Sequence, residues 1–163
     1  MIRNTYIVED IQDCIVEYLQ ALQVSAPWNR WTIIYGYPNE EKFNLEEVLI
    51  YVQPPKFQSG EIKNQGSQIG LGQWMMRLGV WNDRLAGGAE EIGIAESQIL
   101  YSFRHKGRMA DTTFDVTNSA AYTGTTLLAQ GIQIDRIEGP TEVLKNVDTN
   151  EFRSEFDIFL KVL

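Results

Sequence analysis

The sequence predicts an α+β domain: a mainly antiparallel sheet with an N-terminal helix and a second helix packed on one face. Three observations carry that expectation. The closing stretch, EFRSEFDIFLKVL, alternates with period two, placing Phe152, Ser154, Phe156, Ile158, Leu160 and Val162 on one side and Arg153, Glu155, Asp157, Phe159, Lys161 and Leu163 on the other. That is the pattern of a half-buried strand, and one so apolar needs neighbours beside it and a layer against its face. Near the other end, Ile7, Ile11, Cys14, Ile15, Tyr18 and Leu22 recur at helical spacing. Between them, strand-like stretches follow one another without helical crossovers, which favours antiparallel pairing.

Taken in order, Thr5 to Gln23 is the first helix, with Asn4 or Thr5 as N-cap. Glu9, Asp10, Asp13 and Glu17 lie opposite its apolar stripe with no basic residue among them. Their mutual repulsion costs about 0.2–0.5 kcal/mol per close pair, partly offset by the helix dipole at Glu9 and Asp10. This face reads as solvated charge or a partner-facing stripe. Trp28 to Tyr37 and Asn44 to Gln53 read as strands, the second stopped by Pro54 and Pro55. Phe57 to Gly72 holds four glycines and scattered apolar residues, a composition that does not sustain a regular element alone. It reads as a surface loop or an arm that orders against another chain.

Gln73 to Trp81 is a further strand, Asn82 to Gly93 a loop centred on Gly87 and Gly88, and Ser97 to His105 a strand through Ile99, Tyr101 and Phe103. The second helix falls at Ser119 to Gln130, with Gly131 just past its end. Ile132, Ile134 and Ile137 continue as a strand, Gly139-Pro140 turns the chain, and Val143 to Asn150 is a polar connection to the closing strand. The whole, residues 1–163, reads as one domain with extended loops at 57–72 and 82–93.

Composition narrows the function. A net charge of −8 argues against a broad basic grip on nucleic acid. One cysteine, Cys14, allows no internal disulfide and no cysteine-based zinc site, so any metal would need carboxylates. No N-terminal signal is evident, and no apolar run approaches the roughly 20 residues that span a bilayer, so no membrane partner is expected. Phosphate-binding glycine motifs are missing, and no cofactor is expected.

The single histidine, His105, lies between Arg104 and Lys106. Those charges disfavour its protonated form and make it a poor general base. The pairs Glu40-Glu41, Glu46-Glu47 and Glu90-Glu91 have no spacing that specifies a metal or a glycosidase. Four tryptophans, with Tyr35, Tyr37 and Tyr51, suit core and subunit packing better than a ligand cage. Arg104, His105, Lys106 and Arg108 form the chain's basic cluster, able to touch DNA phosphates locally or to pair with an acidic protein surface.

The run TTLLAQGIQIDRIEGPTEVLKNVDTNEFRSEFDIFLKVL from Thr125 has helix, strand, Gly-Pro-Thr turn, polar stretch and terminal alternating strand in succession. With the amphipathic first helix and the LEEVLIYV strand ending in Pro-Pro, it resembles the tail-terminator (neck) proteins of tailed bacteriophages. The likeness covers the element order of most of the chain, and its specific part is the last third. It implies a non-enzymatic virion subunit, made in the host cytoplasm, that forms a ring, usually a hexamer. The ring caps the tail tube and joins it to the head-side connector or head-completion protein, while DNA passes through without specific binding. The loops would then meet neighbouring subunits through Gly60, Gly66, Gly70, Gly87 and Gly88, together with the basic cluster. A head-completion or tail-tube-like subunit is the alternative within that class. A small-ligand-binding α+β domain, with a tryptophan-lined pocket, is the alternative outside it.

Overall fold

A computed structural model describes residues 2, 4–24, 26–36, 48–59, 72–82, 88–103, 127, 130–146 and 151–162. Its elements are helix α1 (Ile7–Leu22), strands β1 (Thr32–Tyr35), β2 (Leu49–Val52), β3 (Lys56–Ser59) and β4 (Gln73–Asn82), helix α2 (Gly88–Phe103), and strands β5 (Ile132–Asn146) and β6 (Glu151–Val162). The sheet runs β1-β2-β4-β6-β5, with β3 also paired to β4. All pairings are antiparallel except β1 with β2. The class is α+β, as the sequence predicts.

The closing strand is central because it is the longest apolar alternation in the chain. β6 pairs with β4 over ten residues, from Gln73↔Lys161 to Asn82↔Phe152, and with β5 along its other edge. Its inward residues Phe156, Ile158 and Leu160 are fully buried. Both helices lie on that face: Ile11, Ile15 and Leu19 from α1 share one core with Ile92, Ala95, Ile99 and Phe103 from α2. The helices also meet each other. Tyr18 stacks at a tilt on Phe103, with centroids 5.4 Å apart, and its hydroxyl donates to the Ser102 carbonyl. Pro54 and Pro55 interrupt the outer edge of β4. They lack an N–H to give a ladder, so β2 pairs beside Leu78–Trp81 and β3 resumes beside Gln73–Met75.

Several expectations need correction. A helix spans Gly88–Phe103, where the sequence suggests a loop and then a strand; the helix expected at Ser119–Gln130 lies outside the described residues except for Leu127 and Gln130. The stretch Ser97 to Phe103 is therefore helix, not strand. Ile92, Ala95, Ile99 and Phe103 repeat at helical spacing and are buried, while Tyr101, required by the strand reading to face inward, is 45% exposed. Burying Ile92, Ile99 and Phe103 contributes about 1.5–3 kcal/mol each, which exceeds the penalty of roughly 1 kcal/mol each for Gly88 and Gly93 in a helix.

The loop expected at 82–93 shrinks, since Asn82 ends β4 and Gly88 to Gly93 belong to α2; likewise Phe57 to Ser59 of the loop expected at 57–72 are β3. Gly139-Pro140 does not end a strand. Gly139 has φ +114° inside β5, where the register with β6 shifts between Glu138 and Thr141, a bulge that leaves β5 running on to Asn146 through the expected polar connection. At the N-terminus, Asn4 and Thr5 lie in a 3-10 turn ahead of α1 without capping it, and Asp10 is buried, not on the exposed acidic face.

Two outcomes follow from this packing. Gly93 lies mid-helix with open space around a would-be Cβ. Gly93→Ala should therefore stabilise by about 0.5–1 kcal/mol, raising Tm by about 1–4 °C in a melt followed by circular dichroism. Burial raises the Cys14 thiol pKa from 9.0 to about 11, with the nearby Glu17, Asp10 and Asp13 carboxylates adding to the rise and the N-terminal charge opposing it. The folded chain keeps this proton where the unfolded chain releases it. The contribution is intact below pH 9 and lost progressively as pH rises toward 11. Between those limits the native protein should lose about 2 kcal/mol more than Cys14→Ala in denaturant titrations.

Candidate functional site

The sheet face away from the helices is not uniformly polar. At its β2 end Leu49, Tyr51 and Trp81 are buried in a second cluster, with Ile34 packed against it. Tyr51, Gly79 and Glu155 lie in one row across three strands, since Tyr51 pairs with Gly79 and Gly79 with Glu155. The Tyr51 side chain reaches across β4 and its hydroxyl donates to Glu155 Oε1 at 2.9 Å. It passes so close to Gly79 that a Cβ there would fall 1.8 Å from the ring.

Glu155 is 8% exposed, and a buried carboxylate needs compensation. Arg77 supplies it, with Nε 3.1 Å from Glu155 Oε2 and 2.9 Å from Asp157 Oδ1. Farther along this face, the Arg136 guanidinium lies 3.7 Å from the centre of the Phe159 ring, and Arg153 lies 4.8 Å over Trp81. These contacts make the outer face a charged, ordered surface with its apolar rings covered.

The sheet ends in two edges. Among the described residues neither β1 nor β5 pairs with a further strand. At the end of β1, Tyr35 is half exposed. Desolvation raises its hydroxyl pKa, and the Asp13 carboxylate on the acidic face of α1 adds to the rise through a hydrogen bond and its charge. On β5, Thr141 to Lys145 are exposed, including the apolar Val143 and Leu144.

Where α2 meets the β5–β6 hairpin there is a cleft of about 250 Å³, lined by Ile92 and Glu96 from α2, Pro140, Glu142 and Leu144 from β5, and Phe152, Arg153 and Ser154 from β6. None of the four tryptophans lines it. Trp28 and Trp31 instead pack edge to face, 5.1 Å apart, in the core that also holds Trp74, and Trp81 is in the outer cluster.

Of the residues singled out from the sequence, Arg104, His105, Lys106, Arg108, Gly60, Gly66, Gly70 and Gly87 lie outside the described residues, and Gly88 opens α2. Glu90 and Glu91 fall in the first turn of α2, where Glu91 is 3.6 Å from Arg30. Sequence reading missed both the Tyr51–Gly79–Glu155 row and the cleft. A lone glycine inside the strand QWMMRLGVW was the available signal for the row, since glycine in a strand marks close approach of another group. No local pattern announces the cleft, whose residues come from three distant segments. No protein-family model matches the chain, and no curated protein matches it.

The Tyr51 row is open to a direct test. Gly79→Ala should destabilise by about 1–3 kcal/mol or more through overpacking. Combining it with Tyr51→Ala should recover part of that loss, a favourable coupling in a double-mutant cycle of urea unfolding. Additive losses would mean that the ring does not cross at Gly79.

Proposed function

We propose that this chain is a non-enzymatic structural subunit of a tailed-phage virion: a ring-forming tail terminator that caps the tail tube and joins it to the head-side connector while DNA passes. The observation that carries the reading is the pair of sheet edges, β1 at one end and β5 at the other, among the described residues. An edge strand of fifteen residues with Val143 and Leu144 exposed is an aggregation hazard unless a partner covers it. One edge of a copy joined to the opposite edge of the next is a heterologous contact, and its repetition closes a ring when the rotation permits. The Gly139-Pro140 bulge interrupts β5, so Thr141 to Lys145 is the segment available for such pairing. The net charge of −8 suits a channel through which DNA slides, because each phosphate contact would add affinity by counterion release.

Light scattering after size exclusion, at high and low protein concentration, followed by negative-stain imaging, tests this reading. Rings of about six subunits are expected. Val143→Asp should weaken ring formation by about tenfold or more while changing stability by less than about 0.5 kcal/mol, because the residue is exposed in the single chain. A strict monomer that also leaves isolated tail tubes uncapped would overturn the proposal.

A further inference from the structure

The cleft between α2 and the β5–β6 hairpin is built for more than hairpin packing. Ser154 is 3% exposed, lines the cleft, and its Oγ has no hydrogen-bond partner. A buried hydroxyl left unsatisfied is costly, and such groups in native proteins call for an explanation. Its cross-strand neighbour on β5 is Glu142, so the hydroxyl and that carboxylate belong to the same side of the hairpin. Glu96 faces them from α2. No hydrogen bond or ion pair to a described residue holds either glutamate. Ile92, Leu144, Phe152 and Pro140 supply apolar walls, and because the Arg153 guanidinium lies over Trp81 on the outer face, the two carboxylates set the charge of the cleft.

We propose that this cleft is a docking site for a basic side chain, arginine or lysine, presented by a partner protein chain. Three properties select that occupant. The two carboxylates and the buried hydroxyl offer acceptors to an N–H-rich cation, and charge-assisted hydrogen bonds to carboxylates are about twice as strong as neutral ones. The apolar walls suit the methylene stem that carries such a cation. The volume, about 250 Å³, is below the roughly 300–1,000 Å³ of pockets for drug-sized ligands and suits a single long side chain. The exposed Val143, next to the cleft residues Glu142 and Leu144, gives the flanking partner residues an apolar rim. The site shares Glu142 and Leu144 with the edge segment proposed above but uses their side chains where edge pairing uses the backbone, and it stands whether or not copies of this chain close into a ring.

The test is a nuclear magnetic resonance titration of the full chain with a blocked pentapeptide, acetyl-Ala-Leu-Arg-Leu-Ala-amide. The expected result is backbone amide shifts confined to Ile92, Glu96, Glu142 and Ser154 and their neighbours. The same peptide with citrulline, neutral and of similar shape, should bind about tenfold more weakly or worse, as should the Arg peptide to the Glu96→Gln/Glu142→Gln variant. Both glutamates reach solvent, so that variant should fold with an unchanged melt. A third arm uses spermidine. Tighter binding of spermidine than of the peptide would reassign the cleft to free polyamines and overturn the protein partner. Shifts outside the cleft, equal binding of the citrulline peptide, or full affinity in the double variant would overturn the site itself.

Discussion

Much of this molecule depends on one missing side chain. Gly79 lies in the middle of β4, the strand joined to β2 and β3 on one edge and to β6 on the other. Because it has no Cβ, Tyr51 can lie across β4 and reach Glu155 on β6. That contact ties three strands together by a side chain as well as by their ladders. It also lets Glu155 be buried as a carboxylate, with Tyr51 and Arg77 compensating its charge. The exposed pairs elsewhere on this face, such as Arg136 with Glu138, are of a different kind, worth at most about 1 kcal/mol because water screens them.

The two faces of the sheet divide the work. The inner face is a continuous apolar layer under α1 and α2, where specificity comes from shape and from a few directed contacts. Gln12 donates to the Val52 carbonyl at 2.7 Å, and Trp28 donates to Gln98 at 3.2 Å. The outer face is ordered by charge. Neither face offers an obvious catalytic constellation among the described residues, whereas the margins hold exposed apolar side chains and the cleft. A subunit whose interactions belong to its margins is suited to assembly, and both proposals place partners there.

The β5–β6 hairpin links the two proposals physically. Its strands stay paired beyond the bulge at Gly139, which carries Thr141 to Lys145 along the side of α2. Without the bulge the register of Glu142 opposite Ser154 would slip by a residue, and a slip of one reverses the face on which a side chain lies. The positive φ at Gly139, and the crowding of any Cβ there against the Glu155 carbonyl oxygen at 2.7 Å, make glycine the residue that fits this position.

Much of the architecture was legible in the chain because it rests on periodicity. The alternation from Phe152 to Val162 and the helical stripe from Ile7 to Leu22 each depend on one element meeting one layer, and a local pattern records that. The helix at Gly88–Phe103 reads locally as loop and strand because Ile99, Tyr101 and Phe103 fit period two as well as Ala95, Ile99 and Phe103 fit a helix, and only the layer that buries them decides. Gly139-Pro140 reads locally as a turn, yet the pairing of β5 with β6 turns it into a bulge. Tyr51, Gly79 and Glu155, like Glu96, Glu142 and Ser154, are brought together by register and by helix docking. Such contacts depend on several elements at once, so no stretch of sequence holds them, and the tertiary structure alone sets them.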